Sequence, residues 1–196
     1  ERLMFKNITY GNSKGEYDAR NLTTSLRRMR AASTVFYTIP GPKMLWQHGE
    51  LGFDKSINTC SDGTINPPGP DGGNGDCRLS IKPTVWDYRS VPERALLFLH
   101  TADLIKLKKT YPVFQTGELT FVSDNLVKQF SIRSKNYTAT PTGPENMNAL
   151  VVASLDMEPR SVTLTFPHSG TWHEYFTGAT LNITGSGTSE IGRAHV

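Results

Sequence analysis

The sequence predicts an α+β protein in which the end of a βα-repeat domain precedes an all-β module. A helical apolar pattern, a short hydrophobic run, a long loop and a second helical pattern follow one another up to residue 110. From Gly117 onward, short β-branched and aromatic segments alternate with turn residues. Since one βα repeat cannot bury both of its own faces, we expect the first part to be incomplete.

The first helix is predicted from apolar residues that recur at helical spacing. Asn21 or Asp18 can cap its start, because short polar side chains accept hydrogen bonds from the first turn. Pro40-Gly41-Pro42 is expected to end it. The residues that share the apolar face are Leu22, Leu26, Met29, Ser33 and Phe36.

A strand, a long loop and a second helix are predicted next. Met44, Leu45 and Trp46 form a short run that fits a strand buried on both sides, as in a parallel sheet. Residues 52–83 are dense in Gly, Pro, Asn and Asp, and a loop of this length is usually functional. The second helix begins at Pro92, a residue suited to a first turn, and ends near Thr110.

The remainder of the chain predicts an antiparallel sheet or β-sandwich. Its short segments are rich in β-branched and aromatic residues and are separated by turn residues. Six such segments over about 70 residues are typical of a sandwich. The predicted strands are 118–122, 126–134, 149–155, 161–166, 171–176 and 180–184.

Composition and charge exclude several classes of protein. The chain of 196 residues is 37% hydrophobic and carries a net charge of +3. Its basic residues are dispersed, and no RNA- or DNA-reading motif accompanies them, so we expect no nucleic-acid partner. No apolar run approaches the roughly 20 residues that a membrane span needs.

Cys60 and Cys77 bracket part of the long loop. Their separation rules out a close zinc-ligand pair, and the chain has no second pair. A disulfide in an exported protein and two unpaired thiols both remain open. Oxygen ligands for Ca²⁺ are available in the same loop, but their spacing is not that of a calcium-binding motif, so solvated carboxylates are favoured. These residues are Asp62, Asp71, Asn74 and Asp76.

Four segments, 39–54, 77–88, 104–118 and 166–178, together resemble the C-terminal third of α-amylase-type enzymes of glycoside hydrolase family 13. The segment 39–54 resembles the eighth barrel strand and the Gly-x-Glu-x-Gly that follows it, with matches at Pro40, Gly41, Met44, Gly49, Glu50 and Gly52. Lys82, Pro83 and Trp86 match a Lys-Pro-x-x-Trp segment that precedes the eighth helix. The segment 166–178 resembles a hairpin of the β-sandwich module that follows the barrel.

The resemblance implies the last strand and last two helices of a (β/α)8 barrel, followed by an antiparallel β-sandwich. It assigns residues 1–110 to the barrel and 111–187 to the sandwich. Residues 188–196 end in IGRAHV, which is similar to a translated sequencing adapter, and we expect them to be a non-native tail. Without the other barrel strands, the two predicted helices of such a fragment are expected to expose the apolar residues Leu26, Met29, Phe36, Leu97 and Leu104.

The function implied is retaining hydrolysis of α-1,4-glucosidic bonds in starch or maltooligosaccharides. Residues that follow a barrel strand face the substrate, so the resemblance places Gln47, His48 and Glu50 at the substrate-binding rim. The family uses carboxylates for catalysis, and its strand-seven His-Asp pair is expected just before Glu1. We therefore expect no catalytic residue and no metal ligand in this chain, and no hydrolysis by the chain alone.

Other implications and alternatives accompany this interpretation. No cofactor is expected, although Ca²⁺ is compatible with the whole enzyme, and its polymeric substrate favours an extracellular or periplasmic location. The alternatives are a non-catalytic carbohydrate-binding module and part of a glucan transferase or branching enzyme. Tyr88, Trp172 and Tyr175 are candidates for a sugar platform, although such rings more often fill a sandwich core. We expect structural roles between the long loop and the second helix for Arg78, Lys82, Asp87 and Arg94.

Overall fold

The computed structural model describes residues 1–65, 77–123, 125–138, 143–184 and 188–191. Two compact units make up the chain: residues 1–30 with 44–102, and residues 31–43 with 103–196. Within the described residues, no helix combines the length and apolar character needed to cross a membrane. The helices are α1 (Leu3–Tyr10), α2 (Leu22–Thr38), α3 (Pro92–Thr110) and α4 (Val113–Thr116).

The strands form short antiparallel sheets, so the α+β class is as predicted. The hairpin β1–β2 lies in the first unit, and β3, β4 and β5 form a three-stranded sheet in the second. Strand β6 pairs with β9, and β7 pairs with β8. Their bounds are β1 (Ser13–Lys14), β2 (Tyr17–Asp18), β3 (Glu118–Ser123), β4 (Val127–Arg133), β5 (Ala149–Ser154), β6 (Val162–Thr165), β7 (Gly170–His173), β8 (Thr180–Ile183) and β9 (Thr188–Ile191).

The core of the first unit joins α1, α2 and α3. Met4 of α1 packs with Leu26 of α2 and Leu97 of α3, and all three are buried. Helix α1 was not expected from the sequence, because residues 1–17 are rich in turn formers. Ile8 lies one turn after Met4 on the same side of α1 and packs against the same cluster.

The two long helices match their predicted bounds. Asn21 Oδ1 accepts a hydrogen bond from Thr24 N at the start of α2, as expected of a cap, whereas Asp18 binds Arg20 instead. Helix α3 spans Pro92–Thr110 as predicted. The expectation of exposed apolar faces is wrong for Leu26, Leu97 and Leu104, which are buried; Phe36 is exposed.

The predicted strand Met44–Trp46 does not form. This segment has irregular backbone, and the side chains of all three residues are exposed. A strand buried on both sides needs a neighbouring strand on each edge, and the described residues of the first unit offer only the two-residue strands β1 and β2, which pair with each other.

The second unit has two apolar clusters. In the first, Phe130 and Ile132 of β4 and Val151 of β5 pack with Leu104 and Leu107. In the second, Leu164 and Phe166 pack with Ile183 of β8, with Trp172 against them. All six predicted strands are present within a few residues of their predicted bounds. Residues 188–191, in the segment predicted to be a non-native tail, pair with β6.

Candidate functional site

Two residues with a left-handed backbone conformation shape the segment that follows Met44–Trp46. His48 has φ 57° and Gly52 has φ 66°, and a short 3₁₀ helix, Gly49–Leu51, lies between them. His48 O accepts hydrogen bonds from Leu51 N and Phe53 N, so the chain folds back on itself here. Among the described residues, His48 alone is a non-glycine residue with positive φ. Such a conformation costs about 1 kcal/mol or more and is most often retained at functional sites.

Gln47 is held at both its side chain and its backbone. Its Nε2 donates to the carbonyl of Lys82 over 3.2 Å. Its own carbonyl accepts from Arg2 Nη1 over 2.8 Å. Gln47 therefore fixes the segment between two other parts of the same unit.

The His48 ring is buried among aromatic rings, with 4% of the residue exposed. It stacks on Phe53 at 6.2 Å between centroids and meets Trp86 edge to face at 4.9 Å. Within the described part of the chain, neither ring nitrogen has a hydrogen-bond partner. An imidazole buried in this way retains its capacity to donate and to accept one hydrogen bond.

Glu50 lies in the 3₁₀ helix and is half-buried. Among the described residues, no hydrogen bond or ion pair involves its carboxylate. The structure thus gives the three predicted site residues different surroundings: Gln47 is hydrogen-bonded, His48 is enclosed by rings, and Glu50 has no partner within the described residues.

Arg2 is a site residue that the sequence interpretation missed. Its guanidinium lies 4.4 Å from the Trp46 ring centroid and 4.3 Å from that of Phe53. Burial lowers the pKa of Arg2 below its ordinary value. Its Nε and Nη2 are buried and, within the described residues, have no acceptor. No sequence signal distinguishes Arg2, because cation–π pairing depends on rings more than 40 residues away.

Glu1 anchors the beginning of the long loop. Its carboxylate accepts from Ser56 Oγ over 2.7 Å and from Ile57 N over 3.0 Å. Burial raises the pKa of the Glu1 carboxyl, but these hydrogen bonds outweigh burial and hold the pKa below its ordinary value.

An ion pair joins the segment to helix α3. Arg94 Nη2 donates to Asp54 Oδ2 over 2.6 Å, and Arg94 Nη1 donates to the carbonyls of Leu51 and Gly52. Tyr88 lies under the guanidinium and donates its hydroxyl proton to Asp54 over 2.7 Å. Burial, together with the hydrogen bond to Asp54, raises the pKa of Tyr88 to about 12.

Lys82 and a disulfide hold the base of the loop. Lys82 is buried, and its Nζ donates to the carbonyls of Ile57, Thr59 and Cys77. Cys60 and Cys77 are joined by a disulfide, with 5.0 Å between their Cα atoms. The structure thus decides between the two alternatives that the sequence left open. The predicted link between the long loop and the second helix is confirmed for Arg94, whereas Lys82 binds the loop to itself.

The remaining candidates fall in different places. Asp62 accepts hydrogen bonds from Thr64, whereas Asp71, Asn74 and Asp76 lie outside the described residues. No group of three His, Cys, Asp or Glu suited to a metal ion occurs in the described ranges. Of the proposed sugar platform, Tyr88 binds Asp54, Trp172 packs with Phe166 and His168, and Tyr175 is exposed.

Comparison with known proteins shows a shared fold. No protein-family model matches the chain, and no curated protein is similar to it. AmyP in complex with maltotriose is similar in structure, with a TM-score of 0.64 and 14% identity over 97% of this chain and 36% of AmyP. AmyP with maltose gives a TM-score of 0.59 and 15% identity over 92% of this chain and 34% of that one.

A third solved structure with a similar fold belongs to a protein other than AmyP. The trehalulose synthase MutB from Pseudomonas mesoacidophila has a TM-score of 0.52 and 16% identity over 85% of this chain and 37% of MutB. This chain spans about a third of the length of each of these structures. Identities this low show likeness of fold alone.

Proposed function

We propose that this chain is the C-terminal third of an α-glucan-active glycoside hydrolase of the α-amylase type. Residues 1–110 form the end of the catalytic barrel, residues 111–187 form a β-sandwich, and 188–196 are a non-native tail. The observation that carries the proposal is the fold likeness to AmyP over 97% of this chain, in a complex that holds maltotriose. The motifs at 39–54 and 82–86 support it independently.

The whole enzyme hydrolyses α-1,4-glucosidic bonds with retention of configuration. Such chemistry needs a carboxylate nucleophile and a carboxylic acid about 5 Å apart. The chain supplies neither residue, and in isolation it hydrolyses no starch. Its contribution is to the wall of the substrate cleft.

The segment 46–50 forms that wall. Trp46 and Trp86 are 42% and 67% exposed, and aromatic rings suit the apolar faces of glucose rings. Glu50 supplies a carboxylate that makes no internal bond among the described residues. Gln47 and His48 orient the segment through their contacts with Lys82, Phe53 and Trp86. In the proposed substrate-binding group of Gln47, His48 and Glu50, the carboxylate of Glu50 contacts the sugar, and Gln47 and His48 position it.

A glucosyl-transferring enzyme of the same fold is the second candidate. The likeness to trehalulose synthase MutB favours it, because that protein shares the fold over 85% of this chain. The two candidates differ in the residues that bind the acceptor, either water or a second sugar.

An extracellular or periplasmic location is part of the proposal. Disulfides persist in oxidising compartments, and the Cys60–Cys77 disulfide supports such a compartment. A polymeric glucan substrate supports it as well.

Titration of the purified chain with maltotriose, followed by NMR, tests the proposed wall. We expect weak binding with shifts at Gln47–Glu50, and Glu50→Gln should weaken it several-fold through loss of a charged hydrogen-bond acceptor. Glu16→Gln is the matched control, since Glu16 is exposed in the β1–β2 turn. Shifts confined to residues 111–187, with retention on starch, would favour a carbohydrate-binding module and contradict the proposed wall.

A further inference from the structure

We infer that Lys82 is a positioning residue that couples the Gln47–Phe53 segment to the Cys60–Cys77 disulfide. The inference rests on the proposed function for the role of this segment in contacting substrate. The coupling itself rests on contacts within the first unit.

The Lys82 ammonium closes the base of the long loop from inside. A lysine ammonium has three N–H donors and no acceptor. Here these donors bind three backbone carbonyls. Two belong to Ile57 and Thr59, which precede Cys60 in the sequence, and the third belongs to Cys77. Only 1% of Lys82 is exposed, so water does not replace these acceptors. The Lys82 ammonium group therefore binds the backbone on both sides of the loop.

The backbone of Lys82 links the base of the loop to the candidate site. Its carbonyl accepts from Gln47 Nε2, and Gln47 O in turn accepts from Arg2 Nη1. Directly after Gln47, the amides of Leu51 and Phe53 donate to the carbonyl of His48, and the amide of Gly49 donates to that of Trp46. A shift of Lys82 therefore moves the acceptor that holds the Gln47 side chain.

The disulfide fixes one of the three acceptors of Lys82. Cys77 O accepts from Nζ, and Cys77 Sγ is bonded to Cys60, the residue next to Thr59. A dithiol reductant such as dithiothreitol supplies two electrons and two protons, breaks the S–S bond and leaves two thiols, while the dithiol becomes a cyclic disulfide. The covalent link between Cys77 and the residue next to Thr59 is then lost, and the hydrogen bonds of Lys82 alone hold the two carbonyls together. We conclude that the order of Gln47–Phe53 depends on the oxidised disulfide through Lys82.

Amide hydrogen exchange, measured residue by residue by NMR on the intact chain, tests this coupling. Lys82→Met should speed exchange about fivefold both at Gly49–Phe53 and at Thr59–Gly63, because one hydrogen bond contributes about 1 kcal/mol. Gln47→Met should speed exchange at Gly49–Phe53 alone. A Lys82 that held only the loop would leave Gly49–Phe53 unchanged.

Lys108→Met is the matched control. Lys108 also donates to two backbone carbonyls, those of Ile39 and Phe114, but it lies in the second unit. Exchange at Gly49–Phe53 should stay as in the wild type in this variant. An equal increase at Gly49–Phe53 in Lys108→Met would overturn the inference, because the effect would then be general destabilisation.

Reduction supplies the decisive comparison. Dithiothreitol should speed exchange at Gly49–Phe53 in the wild-type chain and should add nothing there in Lys82→Met. If reduction speeds exchange only around Cys60, the inference is wrong. If Lys82→Met does not fold, reduction of the wild type and of Gln47→Met decides, since Gln47→Met should not respond at Gly49–Phe53.

The outcome is distinguishable from failure of the proposed function. Maltotriose binding is measured on the oxidised wild-type chain alone. Absence of binding overturns the proposed wall and leaves the exchange results intact. Unchanged exchange overturns the coupling whether or not maltotriose binds.

Discussion

At the residue scale, two buried cations organise the first unit through backbone carbonyls. The sequence predicted that Lys82 and Arg94 tie the long loop to the following helix; the structure confirms this for Arg94, whereas Lys82 binds carbonyls within the loop itself. Their acceptors could not be predicted, because every residue carries a carbonyl and only folding selects among them. Arg2 was missed for a related reason: its partners are rings brought close by the fold.

Arg94→Met is expected to lower the free energy of unfolding by about 3 kcal/mol, since it leaves Asp54 without its cation and two carbonyls without their donor. Urea denaturation measures this change. Arg20→Met is the control, because the Arg20–Asp18 pair is exposed and should contribute little. Equal effects of the two substitutions would contradict the structural role given to Arg94.

Tyr88 should ionise later than an ordinary tyrosine. Burial and the hydrogen bond to Asp54 raise its pKa to about 12, above the value of about 10 for an unfolded chain. The unfolded state therefore loses its proton first, and the free energy of unfolding should fall as pH rises from about 10 to 12. The difference in phenolate absorbance between wild type and Tyr88→Phe should show one group titrating near the upper value. A difference curve centred near pH 10 would contradict the hydrogen-bonded, buried phenol.

At the scale of elements, local patterns predicted what local forces decide. Helix α3 and the strands of the second unit are close to their predicted bounds, because capping, proline and alternation act over a few residues. The prediction of a strand at Met44–Trp46 was wrong because a parallel strand forms only when neighbouring strands are present to pair with it. The same limit applies to the candidate site. The sequence identified Gln47, His48 and Glu50 as a group, but the surroundings of each depend on contacts with the distant residues Arg2, Lys82 and Trp86.

Gly52 lies close to the helices of the first unit. A Cβ there would lie 2.5 Å from Leu26 Cδ2 and 3.3 Å from Leu97 Cδ2, and φ is +66°. We expect Gly52→Ala to cost about 3 kcal/mol, from backbone strain and overpacking together. Gly15→Ala, at φ +58° with nothing within 4 Å, should cost only the backbone part of about 1 kcal/mol. Thermal unfolding compares them, and equal costs would contradict the packing of Gly52 against both helices.

At the scale of the whole molecule, the first unit exposes several large apolar side chains. Close in sequence to Gln47 and Lys82, these are Met44, which is 83% exposed, Leu79, which is 94% exposed, and Ile81, which is 77% exposed. Soluble monomers rarely leave such side chains together in water. The remaining strands of a barrel would cover these side chains in the proposed enzyme.

The isolated chain should therefore associate with itself as its concentration rises. Ile81→Lys should weaken association, since it replaces an exposed apolar side chain with a charge, and sedimentation velocity measures the change. Leu126→Lys, a substitution at an exposed leucine of the second unit, should have little effect. A wild-type chain that stays monomeric at every concentration would contradict the interpretation of these side chains as ones that are normally covered.

The most direct test of the central claim is the DNA sequence of the source gene on both sides of the segment that encodes this chain. The account predicts six or seven βα units upstream, with a His-Asp pair at or just before Glu1, and further strands in place of the IGRAHV tail. An upstream sequence that encodes an unrelated domain would contradict the proposed enzyme and would leave the carbohydrate-binding module as the better account.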